Sequence, residues 1–168
     1  MDQAVSFYQT LTGVSFTLLG IWFGVMQFAH GRWRSDPELH RSTLHIALHF
    51  FLPGLAGLGS LLSGSTDGGL IWRIVFAVSG LLGLIESLSF FRAPGGPVAL
   101  PGRILRAADP LLYTFMIVAV FLPPGVFGLR PLQLEGITTG LLFTLGLCYV
   151  WLAFAERPSE EGSSELRA

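Results

Sequence analysis

The chain has 168 residues, 51% hydrophobic and 12% charged, with a formal net charge of -1. Its mean hydropathy is +0.62, and its charges cluster between runs that are apolar nearly all round a helix, which excludes a water-soluble domain with one polar face per helix. No basic stripe lies outside short loops, so nucleic acid is excluded as a partner, and the single cysteine, Cys148, excludes an intrachain disulfide or a multi-cysteine metal site.

The first predicted span covers residues 6–29, enough to cross about 30 Å of hydrocarbon with some tilt. Met1-Asp2-Gln3-Ala4 lacks the positive region of a cleavable signal peptide, so this span is expected to remain in the mature protein. Gly20 and Gly24 form a small-xxx-small pair that lets another helix approach closely, and Gln9 and Gln27 cap the same face. The polar loop that follows carries Arg32, Arg34 and Arg41, with Asp36-Pro37 as an N-cap and first-turn signal.

The second span, residues 43–63, holds two imidazoles one helical turn apart, His45 and His49, followed by Pro53-Gly54. Positions i and i+4 share a helix face, and Pro53 has no N–H to give the His49 carbonyl, so a helix break is expected at Pro53 and Gly54. Polar groups at membrane depth face a bundle interior or a water-filled cavity, which makes this segment the first candidate for a functional site.

The third span, residues 70–91, carries Arg73 near its start and Glu86 near its end, beside a small, polar stripe of Ser79, Gly80, Gly83 and Ser87. The Pro- and Gly-rich stretch from Arg92 to Arg106 reads as a flexible connection. Asp109-Pro110 again signals a helix start, and Pro123-Pro124 a stop, so the fourth span over residues 110–129 is short, irregular or re-entrant. The fifth span, residues 132–155, places Glu135, Thr138, Thr139, Leu142, Gly146 and Tyr149 along one face. Residues 156–168 read as an acidic, disordered tail.

The expected fold is therefore an all-α bundle of five transmembrane helices, one domain over residues 1–155, with helices 2 and 4 interrupted by proline. Loop arginines fall almost wholly on one side, which puts the N-terminus outside and the C-terminus in the cytoplasm of a cell inner membrane. With that orientation His49 lies roughly 9 Å inside the cytoplasmic boundary, level with Glu86, and Tyr113 and Gln27 reach a shallower part of the layer. His49, Glu86, His45 and Tyr113 are the candidate intramembrane polar site, with His49 and Glu86 as its central pair. Arg73 and Glu135 both lie roughly 6 Å below the outer boundary and form a candidate outer ion pair.

A metal held by His45, His49 and Glu86 has i, i+4 geometry, but Ile46-Ala47-Leu48 lacks the Glu of the zinc-hydrolase motif, and no metal is expected. A b-type haem would need His30 opposite His45 or His49, and no cofactor is expected either. There is no Gly-x-Ser-x-Gly elbow and no intramembrane Asp pair, so the chain does not read as an enzyme. The expected partners are the lipid bilayer and copies of the chain or a larger membrane complex. The functional expectation is a small channel or carrier for an ion or small solute, linked to protons or pH, with a non-transporting accessory or scaffold subunit as the alternative.

Overall fold

The computed structural model describes residues 3–29, 33–63, 69–92 and 100–155. His30, Arg32, residues 64–68, most of the Pro- and Gly-rich connection and the acidic tail lie outside them. The described chain is all helical: α1 (Gln3–Ala29), α2 (Pro37–Leu62), α3 (Leu70–Phe91), α4 (Leu100–Ala119), a 3-10 turn (Val126–Gly128) and α5 (Pro131–Ala155). Among the described residues, α1, α2, α3 and α5 are long and apolar enough to cross a membrane. Large apolar side chains such as Ile21, Ile85, Leu111 and Trp151 are more than half exposed. That distribution suits a bundle whose solvent is hydrocarbon.

The helices pack as a ring in chain order, closed by α5 on α1, with α2 also touching α5 across the middle. The central position of α2 shows in its burial: 67% of its most apolar window is buried, against 28% for the other three spans. α2 starts where the sequence predicts, because the Asp36 carboxylate accepts from the backbone N–H groups of Glu38 and Leu39 at 3.0 and 3.2 Å, with Pro37 in the first turn. α1 is fastened to it by the Trp22 indole N–H, which donates to the Thr43 carbonyl at 3.1 Å. The predicted small stripe on α3 is buried, and it lets α4 come close: a Cβ on Gly80 would lie 2.8 Å from Ile117, and one on Gly83 would overlap the Tyr113 ring.

Two elements differ from expectation. α2 runs on through Pro53 and Gly54 without ending, both residues buried. The proline costs one hydrogen bond at the His49 carbonyl, but neighbouring helices on three sides hold the helix together, as proline inside membrane helices is commonly tolerated. α4 starts at Leu100, so Asp109 and Pro110 lie inside it, and the residues expected as loop form its first two turns. Its 20 residues give a helix roughly 30 Å long, so the shortness inferred from the Asp-Pro start disappears. With Arg103, Arg106 and Asp109 in its sequence, however, α4 is not apolar enough to count with the other four, and four of the five expected spans are supported among the described residues. The chain leaves α4 before Pro123-Pro124, through turns in which the Phe121 and Leu122 N–H groups donate to the Val118 and Ala119 carbonyls.

Candidate functional site

The C-terminal end of α3, beside the start of α2, sets the register of the site. The last carbonyls of a helix lack internal donors, and cations nearby satisfy them. Arg41 of α2 donates to the carbonyl of Ser89 and to its hydroxyl, and Arg106 of α4 donates to the Phe90 carbonyl at 2.6 Å. Both arginines thereby fix α2 and α4 against the final turn of α3. One turn further into the bundle, four helices turn polar side chains toward one point.

His45 meets Glu86 there, with Nδ1 2.6 Å from Oε2. The face of its ring is stacked on Phe90, centroids 3.8 Å apart, and the Arg106 guanidinium also lies over the Phe90 ring, 4.8 Å from its centroid. His49 meets Asp109, with Nε2 2.9 Å from Oδ1, while its Nδ1 lies 2.9 Å from the His45 carbonyl. Tyr149 of α5 donates its hydroxyl to Asp109 Oδ2 at 2.8 Å. His45 Nε2 also lies 3.1 Å from that oxygen, but off the line a hydrogen bond needs, so this nitrogen is buried without a hydrogen-bond partner. His45, His49 and Asp109 are each at most 1% exposed.

Counting protons shows what this arrangement demands. A carbonyl oxygen only accepts, so the proton in the contact with His45 O sits on His49 Nδ1. A neutral His49 then has a bare Nε2 facing Asp109, lone pair against lone pair. The proton of a neutral His45 is likewise used by Glu86. With both imidazoles neutral and both acids ionised, the cluster carries a charge of -2 and lacks at least one positive charge between His49 and Asp109. A proton or a metal ion at that place would supply it.

The expected pair of His49 with Glu86 is thus corrected to His45 with Glu86 and His49 with Asp109. Arg41 opposite Ser89 puts position 45 level with 86 and position 49 about a turn deeper, a register that counting depth along each helix separately does not give. Tyr113 does belong near the site, edge-on to His49 with ring centroids 6.1 Å apart. Gln27 does not, since it is exposed and accepts from Arg34 at 3.1 Å.

Arg73 and Glu135 are not paired. α3 and α5 are not neighbours in the ring, and Arg73 donates to the Val120 carbonyl at 3.2 Å and lies over Trp72, while Glu135 is fully buried with neither carboxylate oxygen hydrogen-bonded.

Asp109 and Tyr149 are the members of the cluster that sequence reasoning left out of the candidate site. The signal for Asp109 was the stripe Asp109, Tyr113, Met116 and Val120, whose three- and four-residue spacing puts the acid on the buried face of a helix that continues through Pro110. Comparison with family models, curated proteins and solved structures finds no match for this chain.

Proposed function

We propose that this protein is a small membrane carrier or channel for a cation, and that the cluster of His45, His49, Glu86, Asp109 and Tyr149 is where the cation is held. The observation that carries the reading is the convergence itself. One hydrogen bond suffices to hold a pair of helices together, whereas here α2, α3, α4 and α5 all direct polar groups to one buried point whose geometry is short of positive charge. The arginine distribution supports an orientation with the start of α2 at the cytoplasmic face, which would set the cluster nearer the inner leaflet. Association with copies of the chain or with a larger complex belongs to the same reading, supported by the open approach over Gly20 and Gly24, where an added Cβ meets nothing within 4 Å.

The test is cation flux into liposomes loaded with a pH or metal indicator, comparing wild type with Asp109→Asn. Flux in the wild type that the substitution abolishes supports the carrier; equal traces from both proteins remove it. One feature favours the second reading, a non-transporting accessory subunit: His45, His49 and Asp109 are each at most 1% exposed and only Glu86, at 17%, reaches the surface, so a cation reaches the three only when the side chains around them part. That reading expects substitutions at Asp109 to change stability and leave the liposomes silent.

A further inference from the structure

The identity of the cation follows from how the two histidines are tethered. A histidine that binds a metal through one ring nitrogen ties its other N–H to a carboxylate or a backbone carbonyl, which fixes the tautomer and aims the free lone pair. His45 has Nδ1 on Glu86 and His49 has Nδ1 on the His45 carbonyl, one example of each tether. Both leave Nε2 close to the same carboxylate, Asp109, at 3.1 and 2.9 Å. The His45 Nε2 is buried 3.1 Å from Asp109 Oδ2 without a well-aligned hydrogen bond, a geometry that a bridging ion would accommodate better than a direct contact does.

We infer that His45 Nε2, His49 Nε2 and an Asp109 oxygen form a site for a divalent first-row transition metal ion. The inference rests on the cation-site reading above and names the cation. The three donor atoms lie within 4.8 Å of one another, against roughly 3.3 Å for donors around a tetrahedral ion with 2.0–2.1 Å bonds, so small rotations of the two rings bring all three onto one ion. Two imidazoles and a carboxylate are the borderline donor set that suits zinc and its neighbours better than calcium or magnesium, which take oxygen ligands. The charge agrees: one divalent ion brings two neutral imidazoles and the carboxylates of Asp109 and Glu86 to zero. Glu86 and Tyr149 act as positioning residues, Glu86 through His45 and Tyr149 through Asp109, and three protein ligands leave a fourth position for water.

The experiment measures Zn2+ bound by the full-length protein in detergent, by elemental analysis and by competition with a zinc indicator, and records the ligand-field spectrum with Co2+ in its place. The expected result is one ion per chain and a four-coordinate cobalt spectrum. Asp109→Asn and His49→Ala should weaken Zn2+ binding at least 100-fold by removing a ligand. Glu86→Gln should weaken it about 10- to 100-fold by loosening the His45 tether, while Glu135→Gln, an equally buried acid elsewhere, should bind as wild type does. Because Glu86→Gln and Asp109→Asn are close in shape to the originals, they keep the test valid if His49→Ala does not fold. Folded wild type without stoichiometric zinc, or zinc binding indifferent to Asp109→Asn, would overturn the inference. Liposomes separate the two readings: zinc binding without flux removes the carrier alone, and flux dependent on Asp109 without zinc binding removes the metal alone.

Discussion

Substituting Asp109 by alanine and by asparagine separates the packing role of this side chain from its charge. In the alanine variant His49 Nε2 and the Tyr149 hydroxyl, held at 2.9 and 2.8 Å in the native bundle, lose their common partner in a place closed to water. An unsatisfied buried polar group costs about 1–3 kcal/mol. With two such groups and a broken buried charge pair, the loss for Asp109→Ala should be about 3–5 kcal/mol. Asparagine can keep both contacts with a neutral histidine, since its amide N–H donates to the bare Nε2 and its carbonyl accepts from Tyr149. Asp109→Asn should therefore lie within about 1 kcal/mol of wild type in the presence of a metal chelator. Unfolding in mixed micelles of increasing denaturing detergent, followed by tryptophan fluorescence, measures the difference. If alanine and asparagine proved equally harmful, or equally harmless, the arrangement around Asp109 would be wrong.

Gly146→Ala should destabilise by about 1–3 kcal/mol through overpacking, because its Cβ would fall 2.7 Å from the His49 Cβ and push α5 off α2; the same unfolding assay should find no loss for Gly24→Ala, whose Cβ meets nothing within 4 Å. A double-mutant cycle with Arg73→Ala and Glu135→Ala should give a coupling within about 0.5 kcal/mol, as for independent sites, and a larger favourable coupling would restore the outer ion pair. Arg106→Met keeps an apolar stem beside Phe90 but removes the donor to its carbonyl. Amide hydrogen exchange in the last turn of α3 should then accelerate, with exchange in α1 unchanged.

The apolar spans and the polar level inside them were readable because both follow from one-dimensional rules. Long apolar runs need hydrocarbon as solvent, and histidines at i and i+4 share a face. The partners of those histidines were not readable in the same way, since register between helices depends on where each one starts. Asp36 announced the start of α2 correctly. Asp109-Pro110 carries the same local signature inside α4, where the proline merely removes one backbone donor and the aspartate turns to the core. A dipeptide rule cannot tell those cases apart, whereas the spacing of Tyr113, Met116 and Val120 behind the aspartate can. Tyr149 lay on the recognised face of α5, but its role depends on Asp109 and could not be assigned before it. Arg73 and Glu135 matched in depth alone, and depth says nothing about which helices are neighbours in the ring.

The most direct measurement of the central claim is the nitrogen spectrum of selectively 15N-labelled histidine in the purified protein, with each ring assigned by substitution. The account predicts that Asp109→Asn shifts the His49 Nε2 signal strongly while His49 Nδ1 stays protonated, and that Glu86→Gln acts first on His45 Nδ1. Ring nitrogens of His49 that respond to Glu86→Gln and ignore Asp109→Asn would contradict it.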